Sequence, residues 1–180
     1  MTDEKDDAVL GSGKYLCLRR RNRWEFVERA GVTEVAVIIA ITPNHEAVFV
    51  EQHREPVAAS MIEWAAGLVG DEEGDDGEPL LEAANRELEE ETGFRANQLS
   101  VLAQGPSSGG LASEIITFVR AEGIERIGDG GGVGHEEINT HLVPLSEVDA
   151  WLKARASEGF LIDPKVYAGL YFLEHPDCVG

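Results

Sequence analysis

Three glutamates, Glu87, Glu90 and Glu91, fall on a stretch that reads as one helix. Residues three and four apart on a helix share a face, and like charges at that spacing cost roughly 0.2–0.5 kcal/mol per pair. A helix that only faced water would more cheaply alternate its signs. Arg86 lies four residues from both Glu82 and Glu90, so it can neutralise part of this acidic surface. The rest suits a hard cation, since Mg2+ takes carboxylate oxygens and keeps waters or substrate phosphates as its other ligands. The plainer alternative is a solvated acidic helix that binds nothing.

The elements that would position these side chains can be read from the pattern around them. Residues 79–92 form the strongest predicted helix: proline suits its first turn, Leu, Ala, Glu and Arg fill it, and Gly93 suits its stop. Before it, residues 71–78 (DEEGDDGE) hold six carboxylates and two glycines and read as an exposed loop. That loop lacks the twelve-residue ligand spacing of a calcium-binding EF-hand. Residues 35–41 read as a buried strand that forms a hairpin with 47–50, and 61–66 form an apolar run leading into Gly67. Short strands are expected at 15–18 and 24–27, around an RRRNR turn that is either a solvated turn or an anion-attracting edge, and also at 114–120 and 138–143. The glycine-rich segment 127–134 reads as mobile. Ser146 with Asp149 signals a helix over 147–156, and Asp163-Pro164 opens another that runs to about 174. Mixed, short and mostly antiparallel strands with helices give an α+β class.

A chain of 180 residues fits one domain, and its 43% hydrophobic content is that of an ordinary folded protein. Residues 1–12 read as an acidic disordered segment, 13–31 as a small N-terminal β-unit, and 32–180 as the main domain. The net charge of −19 argues against nucleic acid or an anionic membrane as partner. It does not exclude a phosphate-bearing small molecule held through cations. Cys17 and Cys178 show no metal-ligand spacing, the N-terminal MTDEKDD carries no apolar stretch, and no apolar run approaches a bilayer span. A cytoplasmic protein with reduced thiols is the expectation.

From Glu78 onward, the string Glu78-x7-Arg86-Glu87-Leu88-x-Glu90-Glu91-x-Gly93-Phe94 resembles the Nudix box, G-x5-E-x7-R-E-U-x-E-E-x-G-U with U a bulky apolar residue. All eight specified positions from Glu78 match. The box's first glycine looks like Gly67, but ten residues separate it from Glu78 instead of five, and the surplus falls in the acidic loop. Surface loops tolerate such insertions. Further stretches are similar to the ADP-ribose pyrophosphatase branch of this family: Trp24 to Arg29, Glu51-Gln-His-Arg54, Glu63 to Leu68, Ser108 to Glu114, His135-Glu136-Glu137-Ile138 and Ile162 to Val166. Trp64 and Ala65 depart from the aliphatic residue and proline usual there.

The resemblance implies a Nudix fold, a mixed β-sheet sandwiched between α-helices with a small N-terminal β-domain that commonly reaches across a homodimer. It implies Mg2+, with Mn2+ as substitute, held by Glu87, Glu90, Glu91 and Glu136, with Arg86 orienting the ligands. Glu136 or its neighbour Glu137 would complete the site as base or further ligand, and Glu78 is either a metal contact or part of the helix start. Arg54 is the candidate phosphate clamp, Glu114 a contact to the terminal sugar or a support of the catalytic loop, and Gly67 a point of close backbone approach. Tyr15 and Trp24 are candidates to stack on a base. The implied reaction is hydrolysis of a nucleoside diphosphate sugar, ADP-ribose to AMP and ribose 5-phosphate. Its rivals are GDP- or UDP-hexose hydrolysis and a non-catalytic nucleotide-sugar sensor.

Overall fold

The computed structural model describes residues 7–32, 34–70, 78–134 and 137–175. Strands β1 (Asp7–Ser12), β2 (Leu16–Arg21) and β3 (Trp24–Arg29) form an antiparallel sheet in that order. The expected disorder of 1–12 is therefore corrected for residues 7–12, while the first six residues lie outside the described set. Composition hid β1 because its partner is charge: Asp7 pairs with Arg19 at 3.0 Å and Arg21 at 3.2 Å, and Arg19 also reaches Glu28 at 2.7 Å. The arginine-rich turn thus spends two of its cations inside its own sheet.

Next come β4 (Glu34–Ala40), β5 (Glu46–Arg54), β6 (Ala59–Leu68), helix α1 (Leu80–Thr92), β7 (Phe94–Arg95), β8 (Gln98–Pro106), β9 (Ile115–Glu122) and β10 (Glu125–Arg126). The described chain closes with β11 (Asn139–Pro144), α2 (Val148–Ser157), β12 (Leu161–Ile162) and α3 (Pro164–Glu174). The main sheet has seven strands, in the order β11-β5-β6-β4-β9-β8, with β12 on β6. It is mixed: β4–β9 and β6–β12 are parallel and its other pairings antiparallel. β7 and β10 form a separate two-stranded ladder.

The expected β4–β5 hairpin is corrected. The two strands share only an isolated bridge, Ile41 to Ala47, and both lie against β6 instead. β6 is ten residues long, so residues 59–64 pair with β5 and 65–68 with β4. The alternating apolar residues of β4 and β5 feed two buried layers. Ala36, Ile38, Val48 and Val50 face Ala84 and Leu88 of α1, whereas Val37, Ile39, Ala47 and Phe49 face Val148, Leu152 and Val166 of α2 and α3.

Trp64, a departure from the family pattern, is accommodated locally. Its indole is buried and donates to the Val166 carbonyl at 3.3 Å. A Cβ on Gly169 would lie 2.3 Å from that indole nitrogen, so the glycine in α3 makes room for the tryptophan. Asp163 caps α3 as expected, accepting the Lys165 N–H at 2.7 Å. Ser146 does not cap α2: a 3-10 turn over Leu145–Glu147 precedes it, and Glu147 stands at the cap without a side-chain bond. No strand was expected at β8, whose sequence lacks a β-branched run and whose pairing to β9 is bulged between Val101 and Ala103.

Candidate functional site

The end of β6 and the face of α1 make one wall of a cleft of about 1060 Å³. Gly67, Arg86, Glu87, Glu90 and Glu91 line it, together with Arg54, Glu63 and Glu114. The polar contacts along α1 follow from helical spacing and from β6 running beside it. The Arg86 guanidinium donates to both oxygens of Glu78 at 3.1 and 3.2 Å, to Glu87 at 2.8 Å and to Glu90 at 3.3 Å. It also reaches the Leu68 carbonyl at 3.5 Å. These Glu78 bonds first, then the Glu87 and Glu90 charges, hold Arg86 protonated well above its ordinary range. Glu82, expected to share Arg86, is exposed; Glu78, its side chain only 8% exposed, takes that position. Buried Glu91 accepts the Ala66 N–H at 3.1 Å.

Among the described residues, no three acidic, His or Cys side chains stand at metal-holding spacing. Glu87 and Glu90 share the arginine instead, so the structure brings the three glutamates to one wall but not into a ligand cage. The residues nonetheless fit a divalent cation. The donors are all carboxylate oxygens, as a hard cation requires. A Cβ on Gly67 would lie 1.9 Å from the Glu87 carboxyl carbon, so the glycine clears the space that carboxylate occupies. Gly67 was expected to admit a metal or phosphate to the backbone; its neighbour here is Glu87 itself.

The C-terminal end of α1 is held by the glycine-rich segment that follows β10. Gly132 N–H donates to the Glu90 carbonyl and Gly131 N–H to the Glu91 carbonyl, both at 2.9 Å, and the Gly128 N–H reaches the Gly93 carbonyl at 3.1 Å. Thr140 adds a hydroxyl bond to the Glu91 carbonyl at 3.3 Å. Carbonyls orphaned at the helix end are thereby satisfied by a strap. Composition predicted a mobile connection here, because pattern does not reveal backbone-to-backbone bonds across the fold. Glu136, the first choice to complete the site, lies outside the described residues, and Glu137 is exposed and does not line the cleft.

Tyr15 and Trp24 are 65% and 60% exposed and are not part of this chain's cleft. The sheet that carries them is joined to the cleft's edge: Val27 N–H donates to the Leu111 carbonyl, Ser113 N–H to the Val27 carbonyl, and Arg29 pairs with Glu114 at 3.0 Å. Arg54 donates its Nε to Glu63 at 2.8 Å. Burial pushes the Glu63 carboxyl above the ordinary carboxylate range, against the opposing pull of Arg54. Arg29, Glu63, Asp163 and Lys165 line the cleft, yet sequence assigned none of them a part in the site, Asp163 being read only as the start of a helix. All four sit inside stretches that carried the family resemblance, which was the available signal.

The sequence profile described as NUDIX domain matches residues 32–162. A methanol dehydrogenase activator from Bacillus methanolicus is 31% identical over 170 residues, covering 94% of this chain and 82% of that protein. An ADP-ribose pyrophosphatase from Bacillus subtilis (strain 168) is 32% identical over 117 residues, covering 65% of this chain and 56% of the relative. An ADP-sugar pyrophosphatase from Mus musculus is 30% identical over 158 residues, covering 81% and 68%. A solved structure described as an ADP compounds hydrolase aligns with a TM-score of 0.72 over 94% of this chain and 90% of its own, at 18% identity, a likeness of fold. With the box residues gathered on one cleft wall and the profile covering most of the chain, the protein belongs to the NUDIX family and is a Nudix hydrolase.

Proposed function

We propose that this Nudix hydrolase cleaves the diphosphate bridge of a nucleoside diphosphate sugar, with ADP-ribose as the leading substrate, giving AMP and ribose 5-phosphate in a cytoplasmic setting. The observation that carries this reading is the shared cleft, which Glu87, Glu90 and Glu91 line together with Arg29, Arg54 and Lys165. Relatives named for ADP-ribose and ADP-sugar hydrolysis support the substrate class.

Mg2+, or Mn2+ in its place, would be held by Glu87, Glu90 and Glu91, with Glu136 as a further ligand or the base. When bound, the cation neutralises the diphosphate and lowers the pKa of a coordinated water. Arg86 keeps Glu87 and Glu90 side by side, and the Ala66 N–H fixes Glu91. The terminal nitrogens of Arg54 donate to phosphate oxygens. A water oxygen bonds to one phosphorus, the bridging P–O bond breaks, and the bridging oxygen leaves with the other phosphate. Glu136 takes the water's proton in this scheme.

The test is product formation, followed by mass spectrometry, from ADP-ribose, GDP-mannose, UDP-glucose and NADH, each with Mg2+ and with chelator. AMP and ribose 5-phosphate from ADP-ribose, abolished by chelator, are expected. Turnover of another sugar nucleotide instead would replace the substrate and keep the chemistry. A second reading, a nucleotide-sensing regulator, is favoured by the relative named a methanol dehydrogenase activator, which matches 94% of this chain. It predicts nucleotide binding with no turnover of any of the four compounds.

The homodimer belongs to the same proposal. Val9, Leu10, Tyr15, Leu16, Leu18 and Trp24 are all more than 40% exposed on the N-terminal strands or their turn, an apolar surface that a second copy would cover. There Tyr15 and Trp24 would serve the partner's cleft as base-stacking residues. Light scattering is expected to give twice the chain mass, and a monomer at micromolar concentration would remove this part of the reading.

A further inference from the structure

The strap at the end of α1 has almost no side chains of its own. Residues 128–134 hold five glycines in seven. Glycine has more backbone freedom to lose than any other residue, so such a segment keeps one path only where other groups hold it. One set of holders is backbone: Gly131 and Gly132 donate to the Glu91 and Glu90 carbonyls, and Ile127 and Gly128 both donate to the Gly93 carbonyl, at 2.8 and 3.1 Å. The other is a side chain, Arg126 at the end of β10. Its Nε donates to the Gly128 carbonyl at 3.1 Å, and a terminal nitrogen reaches the Asp129 carbonyl at 3.4 Å. The same guanidinium lies 5.8 Å from the centre of the Phe94 ring.

Phe94 is buried, pairs with Arg126 across the β7–β10 ladder, and directly follows Gly93, which stops α1. Arg126 therefore grips both sides of one joint: the residue that leaves the helix and the strap that crosses it. The guanidinium suits this task because its donors diverge from a rigid plane and can meet two successive carbonyls. The joint is tight. A Cβ on Gly93 would lie 2.3 Å from the Gly128 carbonyl oxygen, so a shift of the strap is felt by the helix stop. If the strap lifts, the Glu90 and Glu91 carbonyls lose their donors, and the last turn of α1 is free to fray. The carboxylates of those same two residues line the cleft.

We propose that Arg126 is a positioning residue for the hydrolase: by clipping the Gly128 and Asp129 carbonyls beside Phe94, it keeps the strap on the last turn of α1 and so fixes the Glu90 and Glu91 carboxylates. It rests on reading those two glutamates as cation ligands. Arg126 is exposed, does not line the cleft, and acts only through the strap.

The test compares the full chain with Arg126→Met, which keeps an apolar stem over Phe94 but removes the donors and the charge. In chelator, amide hydrogen exchange at Gly131 and Gly132 is expected to speed up about tenfold, the scale of one lost charge-assisted bond, while exchange in β4 and β9 stays as in wild type. Calorimetric titration with Mn2+ should show binding weakened about fivefold, a scale below that of losing a ligand's own hydrogen-bond partner. In turnover of ADP-ribose with Mg2+, kcat should fall about fivefold with KM within about twofold, as when only the transition state loses support. Arg126→Lys keeps the charge and one donor and should recover most of each loss. Wild-type exchange at Gly131 and Gly132 in Arg126→Met overturns the clip. Faster exchange with wild-type Mn2+ affinity or wild-type kcat makes Arg126 a structural residue and overturns its positioning role. No Mn2+ binding by wild type overturns the cation reading and the positioning role together. Failure of wild type to turn over ADP-ribose would instead overturn the substrate assignment, while exchange and Mn2+ binding still decide Arg126.

Discussion

Glu90→Gln is expected to lower turnover roughly a hundredfold to a thousandfold while leaving the fold in place. The substitution keeps the shape of the side chain and an oxygen for the Arg86 bond at 3.3 Å, so it removes one charge and little else. Loss of a carboxylate from a cation site is worth several kcal/mol in the transition state, and about 1.4 kcal/mol is a factor of ten in rate. Stability should change by less than about 1 kcal/mol. The guanidinium that pairs with Glu90 is also held by Glu78 and Glu87, and a partly exposed pair at this spacing contributes only about 0.3–0.5 kcal/mol. Removing Glu90 also relieves its repulsion with Glu87. The two effects separate in one pair of measurements. Steady-state rates should fall, and thermal melting in chelator should be nearly unchanged. Added Mg2+ should raise the melting temperature of wild type more than that of the variant, because a ligand that binds only the folded state stabilises it by mass action. Wild-type turnover by Glu90→Gln would take Glu90 out of the site. Glu91→Gln is the companion: its amide oxygen can still accept the Ala66 N–H, so a similar loss of rate is expected.

Local rules carried this site well and long-range rules did not. Helical spacing alone placed Glu87, Glu90 and Glu91 on one face, and the box resemblance named Arg86 as their organiser; the guanidinium does gather Glu87 and Glu90. The proline start and glycine stop gave α1 almost to the residue, because they act within one turn. Glu78 was ambiguous because its bond to Arg86 spans eight residues across the helix start. The hairpin expected of β4 and β5 failed for a similar reason: adjacency in sequence favoured it, and a ten-residue β6 capable of pairing with both strands was not visible as such. β1 was hidden because its pairing depends on Asp7 meeting arginines twelve and fourteen residues away. Lys165 could be read only as part of a helix start, since its place in the cleft depends on α3 packing behind β6.

Gly130→Ala is expected to destabilise the protein by about 3–5 kcal/mol, a large part of the total stability of an ordinary domain. Two effects combine at this position. The residue has φ +71°, a left-handed conformation that costs a non-glycine residue roughly 1–2 kcal/mol. An added Cβ would also lie 2.5 Å from the Thr92 carbonyl carbon and 2.7 Å from the Gly93 nitrogen, both backbone atoms at the rigid end of α1. Relief requires the strap to lift, and lifting stretches the Gly131 and Gly132 bonds to the Glu91 and Glu90 carbonyls, each worth about 1 kcal/mol. Two neighbouring glycines separate the contributions. Gly134 has φ +67° with nothing among the described residues within 4 Å of an added Cβ, so Gly134→Ala should show the conformational cost alone. Gly128 needs no positive φ and would meet only the Gly93 Cα at 3.9 Å, so Gly128→Ala should be nearly neutral. Urea unfolding of the three variants should therefore rank them Gly130, Gly134, Gly128 in order of loss. Because the strap bonds to the carbonyls of Glu90 and Glu91, two of the proposed cation ligands, Gly130→Ala should also lower kcat under conditions where it is still folded, whereas Gly134→Ala should not. Equal losses at Gly130 and Gly134 would mean that the strap yields freely and does not hold the end of α1.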